Sequence, residues 1–224
     1  MENYLIYIGL PLLLGFWAQA KVRSAFGRYS QVRASSGLTG AQAAEEILNA
    51  AQIHDVEIVQ INGMMGDHYD PSHKRLCLST STYMSPSVAA VGIAAHETGH
   101  AIQHARAYAP LQWRMAVVPA TAFASRILPF AIFGGLFFGM MGLLEVGIIC
   151  YAVLAAFQLI TLPVEYDASR RAKVILNQLG IIQPGAEAAG VNSVLDAAAL
   201  TYVAAFVAAL GNLMWLLSLN NRRR

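Results

Sequence analysis

The chain has 224 residues, of which 56% are hydrophobic and only 12% charged, with a net charge of +2. A soluble domain of this size carries roughly 25% charged residues, so this composition does not describe an ordinary water-soluble globule. The small net charge and dispersed arginines leave no nucleic-acid footprint, and two cysteines, Cys77 and Cys150, do not make a disulfide framework.

Three apolar blocks approach bilayer length, which takes roughly 20 residues. The first, 4–20, is followed rather than preceded by basic residues (Lys21, Arg23, Arg28, Arg33), and only Glu2 stands before it. That order suits a retained anchor better than a cleaved signal peptide. Next, TGAQAAEEILNAAQ (39–52) reads as an amphipathic helix, with Thr39 as N-cap and Gln42 at the capping-box position. DVEIVQI (55–61) alternates and is rich in β-branched residues, so it reads as a strand. The stretch from Asn62 to Lys74 is punctuated by glycine, aspartate and proline and reads as a loop, with Asp70-Pro71 making a turn. RLCLSTS (75–81) reads as a second strand, so a hairpin with a long connection is expected, its strand 74–79 offering an edge to an extended substrate.

Residues 85–108 form the best-defined helix, with Ser85 as its cap and Pro86 in its first turn. The second apolar block, 127–162, is long enough for two passes, 127–144 and 146–162, with Glu145 between them. VEYDASRRAKVILNQLG (164–180) then continues as an amphipathic helix, and 197–219 is the fourth span. Basic residues at 21–33, Arg106, Arg114, Arg170, Arg171 and Lys173 fall on one side of such a four-span topology, which makes that side cytoplasmic. The tail Arg222-Arg223-Arg224 runs against this assignment.

Within the helix 85–108 stands His96-Glu97-Thr98-Gly99-His100, an H-E-x-x-H pattern. Histidines four apart lie one turn above each other on one face, where both imidazoles can grip one tetrahedral zinc. Glu97 is rotated off that direction and is free to act as base on a zinc-activated water. A chance match would arise in roughly one such sequence in two hundred, so coincidence is a weak explanation.

The third ligand is less directly written. A third histidine at metzincin spacing is missing, because Gln103 and Arg106 stand there, and His104 lies a turn too far along. Of the downstream glutamates, Glu145 sits between spans and Glu187 in a Gly/Ala/Pro-rich turn region. Glu165, emerging directly from the third span, is the expected ligand. For the oxyanion or the substrate, the candidates are His68, with Tyr69 and Asp70 beside it, then Tyr166, Arg170 and the strand residues Arg75, Leu76 and Cys77.

Together DHYDP (67–71), KRLCLS (74–79), AAHETGHAIQHA (94–105) and LPVEYDASRRA (162–172) resemble the YugP-type neutral zinc metallopeptidases of bacteria. The resemblance covers nearly the whole chain and implies a bacterial inner-membrane zinc peptidase of undefined substrate. It also implies His96, His100 and Glu165 as ligands of one Zn2+ and Glu97 as base. More loosely the chain is similar to HtpX and its relatives, in which an aspartate follows the ligand glutamate by one turn; here that position is Ser169.

The expected fold is therefore mainly α: an integral membrane helical protein with a small β-hairpin beside the H-E-x-x-H helix. It would form one membrane-embedded peptidase domain over 1–224, with its polar catalytic part at 21–126 and 163–196. Its partners would be the lipid bilayer and a membrane-associated or unfolded peptide substrate, with no nucleic acid. Two other readings remain open: a site-2-type intramembrane protease using Asp196, and a zinc-binding membrane protein without catalysis.

Overall fold

The computed structural model describes residues 4–63 and 66–223; Met64, Met65 and Arg224, the last residue of the arginine tail, lie outside the described residues, as does Glu2. Helix α1 (Leu10–Tyr29) is entered through a π-helical turn at Leu5–Gly9. It is followed by α2 (Gly40–Ala50), β1 (Glu57–Ile61), β2 (His68–Asp70), β3 (Arg75–Ser79) and α3 (Thr80–Tyr83). Then come α4 (Val88–Ala105), α5 (Ala109–Phe137), α6 (Met141–Gln178) and α7 (Ala186–Arg223).

The Cα packing divides the chain into two compact units. The first comprises the N-terminal helix up to Gln19, the segment Gln112–Pro163, and α7 from Leu200 onward. Four helices, Leu5–Tyr29, Ala109–Phe137, Met141–Gln178 and Ala186–Asn221, are long and apolar enough to cross a membrane. Phe123, Phe130, Phe133 and Phe137 are exposed along α5. In water that face would be an aggregation liability, whereas hydrocarbon is the solvent it suits. Pro119 and Pro129 inside α5 are tolerated in such helices. The chain turns between α5 and α6 at Phe138–Met140, where Gly139 adopts a φ of 66°. The break therefore precedes the position expected from the charge pattern, and Glu145 is an exposed residue in the second turn of α6 rather than a linker between spans. The backbone turns where a left-handed residue is available, which a charge does not supply.

The second unit, Ala20–Leu111 with Val164–Ala199, holds the sheet and α4. Helix α4 runs through its centre. Val88, Val91, Ala95 and Ile102 pack in one core with Ile47, Leu176, Ile182 and Leu195, while Ala94 joins Ala44, Leu76 and Leu78 in another. Small residues on α4 let neighbours approach from several sides. At Gly99 an added Cβ would lie 2.8 Å from the Ala168 carbonyl oxygen, so α6 touches the backbone of α4 at the middle of the H-E-x-x-H turn.

The capping box on α2 is present as the sequence implies, with Gln42 N–H donating to Thr39 Oγ1 and Thr39 N–H to Gln42 Oε1. The cap of α4 is displaced from expectation. Ser87, not Ser85, accepts from the Ala90 amide, and Ser85 instead holds the Ser87 hydroxyl. Pro86 consequently precedes the helix rather than opening it.

The hairpin expectation is corrected. β1 and β3 pair parallel, from Glu57 opposite Arg75 to Ile61 opposite Ser79, and β2 pairs antiparallel with β3. The order is β1-β3-β2. A parallel pair needs a crossover of a dozen or so residues, and the loop read between the strands is that crossover with a short strand of its own. A tight turn links β2 to β3, with the Asp70 carboxylate accepting from the Ser72 and His73 amides and Lys74 at a φ of 51°. β3 is thus the central strand, and it cannot serve as the substrate-facing edge.

Candidate metal centre

His96 and His100 stand one turn apart on α4, their rings edge to face with centroids 4.8 Å apart. From α6, Glu165 brings its Oε2 to 3.2 Å from His96 Nε2 and 3.5 Å from His100 Nε2. Ligands at 2.0–2.1 Å from a tetrahedral zinc are separated by about 3.3–3.4 Å, which follows from the tetrahedral angle. The observed separations match that edge, so these three groups could hold a metal ion. All three are well buried, Glu165 almost completely. A carboxylate so placed needs cationic partners.

The remaining ring nitrogens are occupied. His96 Nδ1 lies 3.1 Å from Ser169 Oγ, and His100 Nδ1 lies 3.0 Å from Gln103 Oε1. Both Nε2 atoms are thereby left pointing at Glu165, the arrangement a metal requires of imidazole ligands. Gln103 is fully buried and donates through Nε2 to the Val164 carbonyl (2.8 Å) and to Asp167 Oδ2 (3.0 Å). Asp167 in turn receives Arg170 and Arg171.

Glu97 faces the outer strand of the sheet, with its Oε2 accepting from the Tyr69 amide at 3.2 Å. Burial pushes its carboxyl above the ordinary range, against the pull of His96 and His100. Tyr69 meets α4 a second time, with its hydroxyl 2.9 Å from His104 Nδ1. Burial, and then the charges of Asp55 and Asp70, push that phenol up to about 12, so it stays protonated.

The structure thus brings together His96, His100, Glu165 and, one step along the helix, Glu97. Of the other sequence candidates, Tyr69 reaches Glu97 through its amide, and the rest are placed otherwise. His68 lies exposed on β2, its Nδ1 bonded to the Gly66 carbonyl. Tyr166 is half exposed, and Arg170 points largely to solvent from Asp167. Arg75 pairs with Glu57, Leu76 is sealed in the core, and Cys77 is half-buried in the central strand. Asp196 is mostly exposed and paired with Lys173, and Glu187 binds the Ser35 and Gln183 amides.

Gln103 and Asp167 carry no motif that marks them as parts of the site, whereas Ser169 stands where the looser relatives carry an aspartate, and it meets His96. Gln103 follows His100 by three and Ser169 follows Glu165 by four, so helical spacing from the ligands is the signal that finds them. Asp167, two positions after Glu165, follows no such rule.

A protein-family profile described as "Putative neutral zinc metallopeptidase" matches residues 4–221. The chain is 46% identical over 201 residues to the "Putative membrane protease YugP" of Bacillus subtilis (strain 168), covering 90% of this chain and 89% of that one. No solved structure gives a significant match.

Proposed function

The chain belongs to the neutral zinc metallopeptidase family, and on that premise we propose that it is a membrane-bound zinc metalloendopeptidase with His96, His100 and Glu165 as metal ligands and Glu97 as base. The observation that carries this reading is the approach of one Glu165 oxygen to both histidine Nε2 atoms at tetrahedral-edge distances, with Glu97 beside the cluster rather than in it. Zinc held by these residues would supply a Lewis acid and would bring the pKa of a water close to 7. Glu97 has one oxygen fixed by the Tyr69 amide and the other free to take the water proton and later pass it to the departing amine. The proposed substrates are peptide segments at or near the bilayer, on the cytoplasmic side that the basic flanks favour.

The test is the zinc content of the detergent-purified chain. Wild type should hold about one zinc, Glu165→Gln should lose it, and Glu97→Gln should keep it while peptidase activity is lost. Undiminished zinc in Glu165→Gln would overturn the ligand set. Full activity in Glu97→Gln would leave a zinc-binding protein whose base lies elsewhere.

A further inference from the structure

We propose that Gln103 is a positioning residue for the metal centre: clamped by Asp167 and the Val164 carbonyl, it holds His100 in the tautomer that presents a bare Nε2 to the metal. The inference rests on the zinc reading above and concerns how this chain prepares that site.

The argument starts from what the amide of Gln103 can do. Its nitrogen is 2.8 Å from the Val164 carbonyl oxygen and 3.0 Å from Asp167 Oδ2. Both neighbours are acceptors only, so the opposite amide orientation would set an oxygen against two oxygens in the interior. The orientation is therefore decided by the surroundings, and Oε1 faces His100 Nδ1 at 3.0 Å. An amide oxygen cannot donate, so the proton of that bond belongs to Nδ1. In a neutral imidazole the lone pair then resides on Nε2, the atom 3.5 Å from Glu165 Oε2.

The clamp is itself anchored. Asp167 is buried and ion-paired with both Arg170 and Arg171, so its carboxylate is held in place to receive Gln103. Asp167 also lies two residues from Glu165 on α6. One helix thus supplies both a metal ligand and the anchor for the residue that orients another ligand. His96 has no equivalent device, because its Ser169 hydroxyl can donate or accept and leaves the tautomer open.

The experiment measures zinc affinity of the full-length chain in detergent by competition with a chelator. The visible absorption of the cobalt(II)-substituted protein is recorded alongside as a report on ligand geometry. Gln103→Met keeps the volume and removes every polar atom. Gln103→Glu keeps an acceptor toward His100, its buried carboxyl protonated beside Asp167 so that the acid O–H donates where the amide N–H did. Gln103→Met should weaken zinc binding by about 10- to 100-fold and shift the cobalt spectrum, whereas Gln103→Glu should stay within about threefold of wild type with the wild-type spectrum. Wild-type affinity and spectrum in Gln103→Met would make Gln103 a core filler and overturn the proposal. So would a loss in folded Gln103→Glu as large as that in Gln103→Met. If Gln103→Met does not fold, Gln103→Glu decides alone: retained zinc with the wild-type spectrum supports the proposal, and loss overturns it. Absence of stoichiometric zinc in wild type would instead fell the metal reading itself, and this inference with it.

Discussion

At the residue scale the two histidines of the site are chemically alike but are held by different partners. Gln103 has its donors saturated by two acceptors, so its oxygen has one possible direction. Ser169 has a hydroxyl that rotates and can serve either ring state of His96. Ser169→Ala should therefore weaken zinc binding by less than about threefold, well short of the effect of Gln103→Met. The same chelator competition measures it, and a loss as large as that of Gln103→Met would show that His96 depends on its hydroxyl as strongly as His100 on its amide. Glu97 shows the other side of residue-level legibility. Its proposed role as base is written in its place between His96 and His100, but its bond to the Tyr69 amide is not, because Tyr69 lies on a strand 28 positions earlier.

At the scale of elements the decisive contact is α4 against α6. Gly99 is one of the two residues an H-E-x-x-H pattern leaves unspecified, yet the structure gives it a steric reason. A Cβ there would sit 2.8 Å from the Ala168 carbonyl oxygen and 3.2 Å from its Cα, and both atoms belong to backbone that cannot swing aside. Gly99→Ala should push α6 outward and withdraw Glu165 from the histidines. The expected cost is about 1–3 kcal/mol in stability, with a fall in zinc affinity beyond that of any surface substitution. Thermal melting of the apo chain and zinc titration read the two effects separately. Unchanged zinc affinity would mean that α6 can move without carrying Glu165 away. The sheet teaches a related lesson. Strand positions 57–61 follow from β-branching and 75–79 from the alternation of Leu76 and Leu78, but their parallel pairing depends on β2 and its Asp70 turn, a three-residue strand too short to show a period.

At the scale of the whole molecule, the described residues include four membrane-length helices, and the candidate metal cluster lies within the unit Ala20–Leu111 with Val164–Ala199. Metal bound to the folded site and not to the unfolded chain stabilises the fold by mass action, about 2.7 kcal/mol at a hundredfold excess over Kd. Chelation should therefore lower the melting temperature of the detergent-purified chain and abolish peptidase activity, and added zinc should restore both. Peptidase activity that survives complete chelation would sink the hydrolytic mechanism, whatever the melting shows.

Legible in the sequence alone were the apolar segments of membrane length, the H-E-x-x-H pattern on one helix, and Glu165 as the carboxylate that joins its two histidines in a cluster able to hold a metal ion. Each of these is a local property, set by apolar length, by one-turn spacing on a helix, or by a carboxylate's place after a span. Tertiary contacts alone make β3 the central strand, give Ser87 the cap of α4, set the α5–α6 turn at Gly139, and bring Gln103, Asp167 and Ser169 to the histidines. Those outcomes depend on which backbone atoms meet across elements distant in the chain. Close approach at Gly99 and saturation of buried polar groups choose among arrangements that local pattern leaves equivalent.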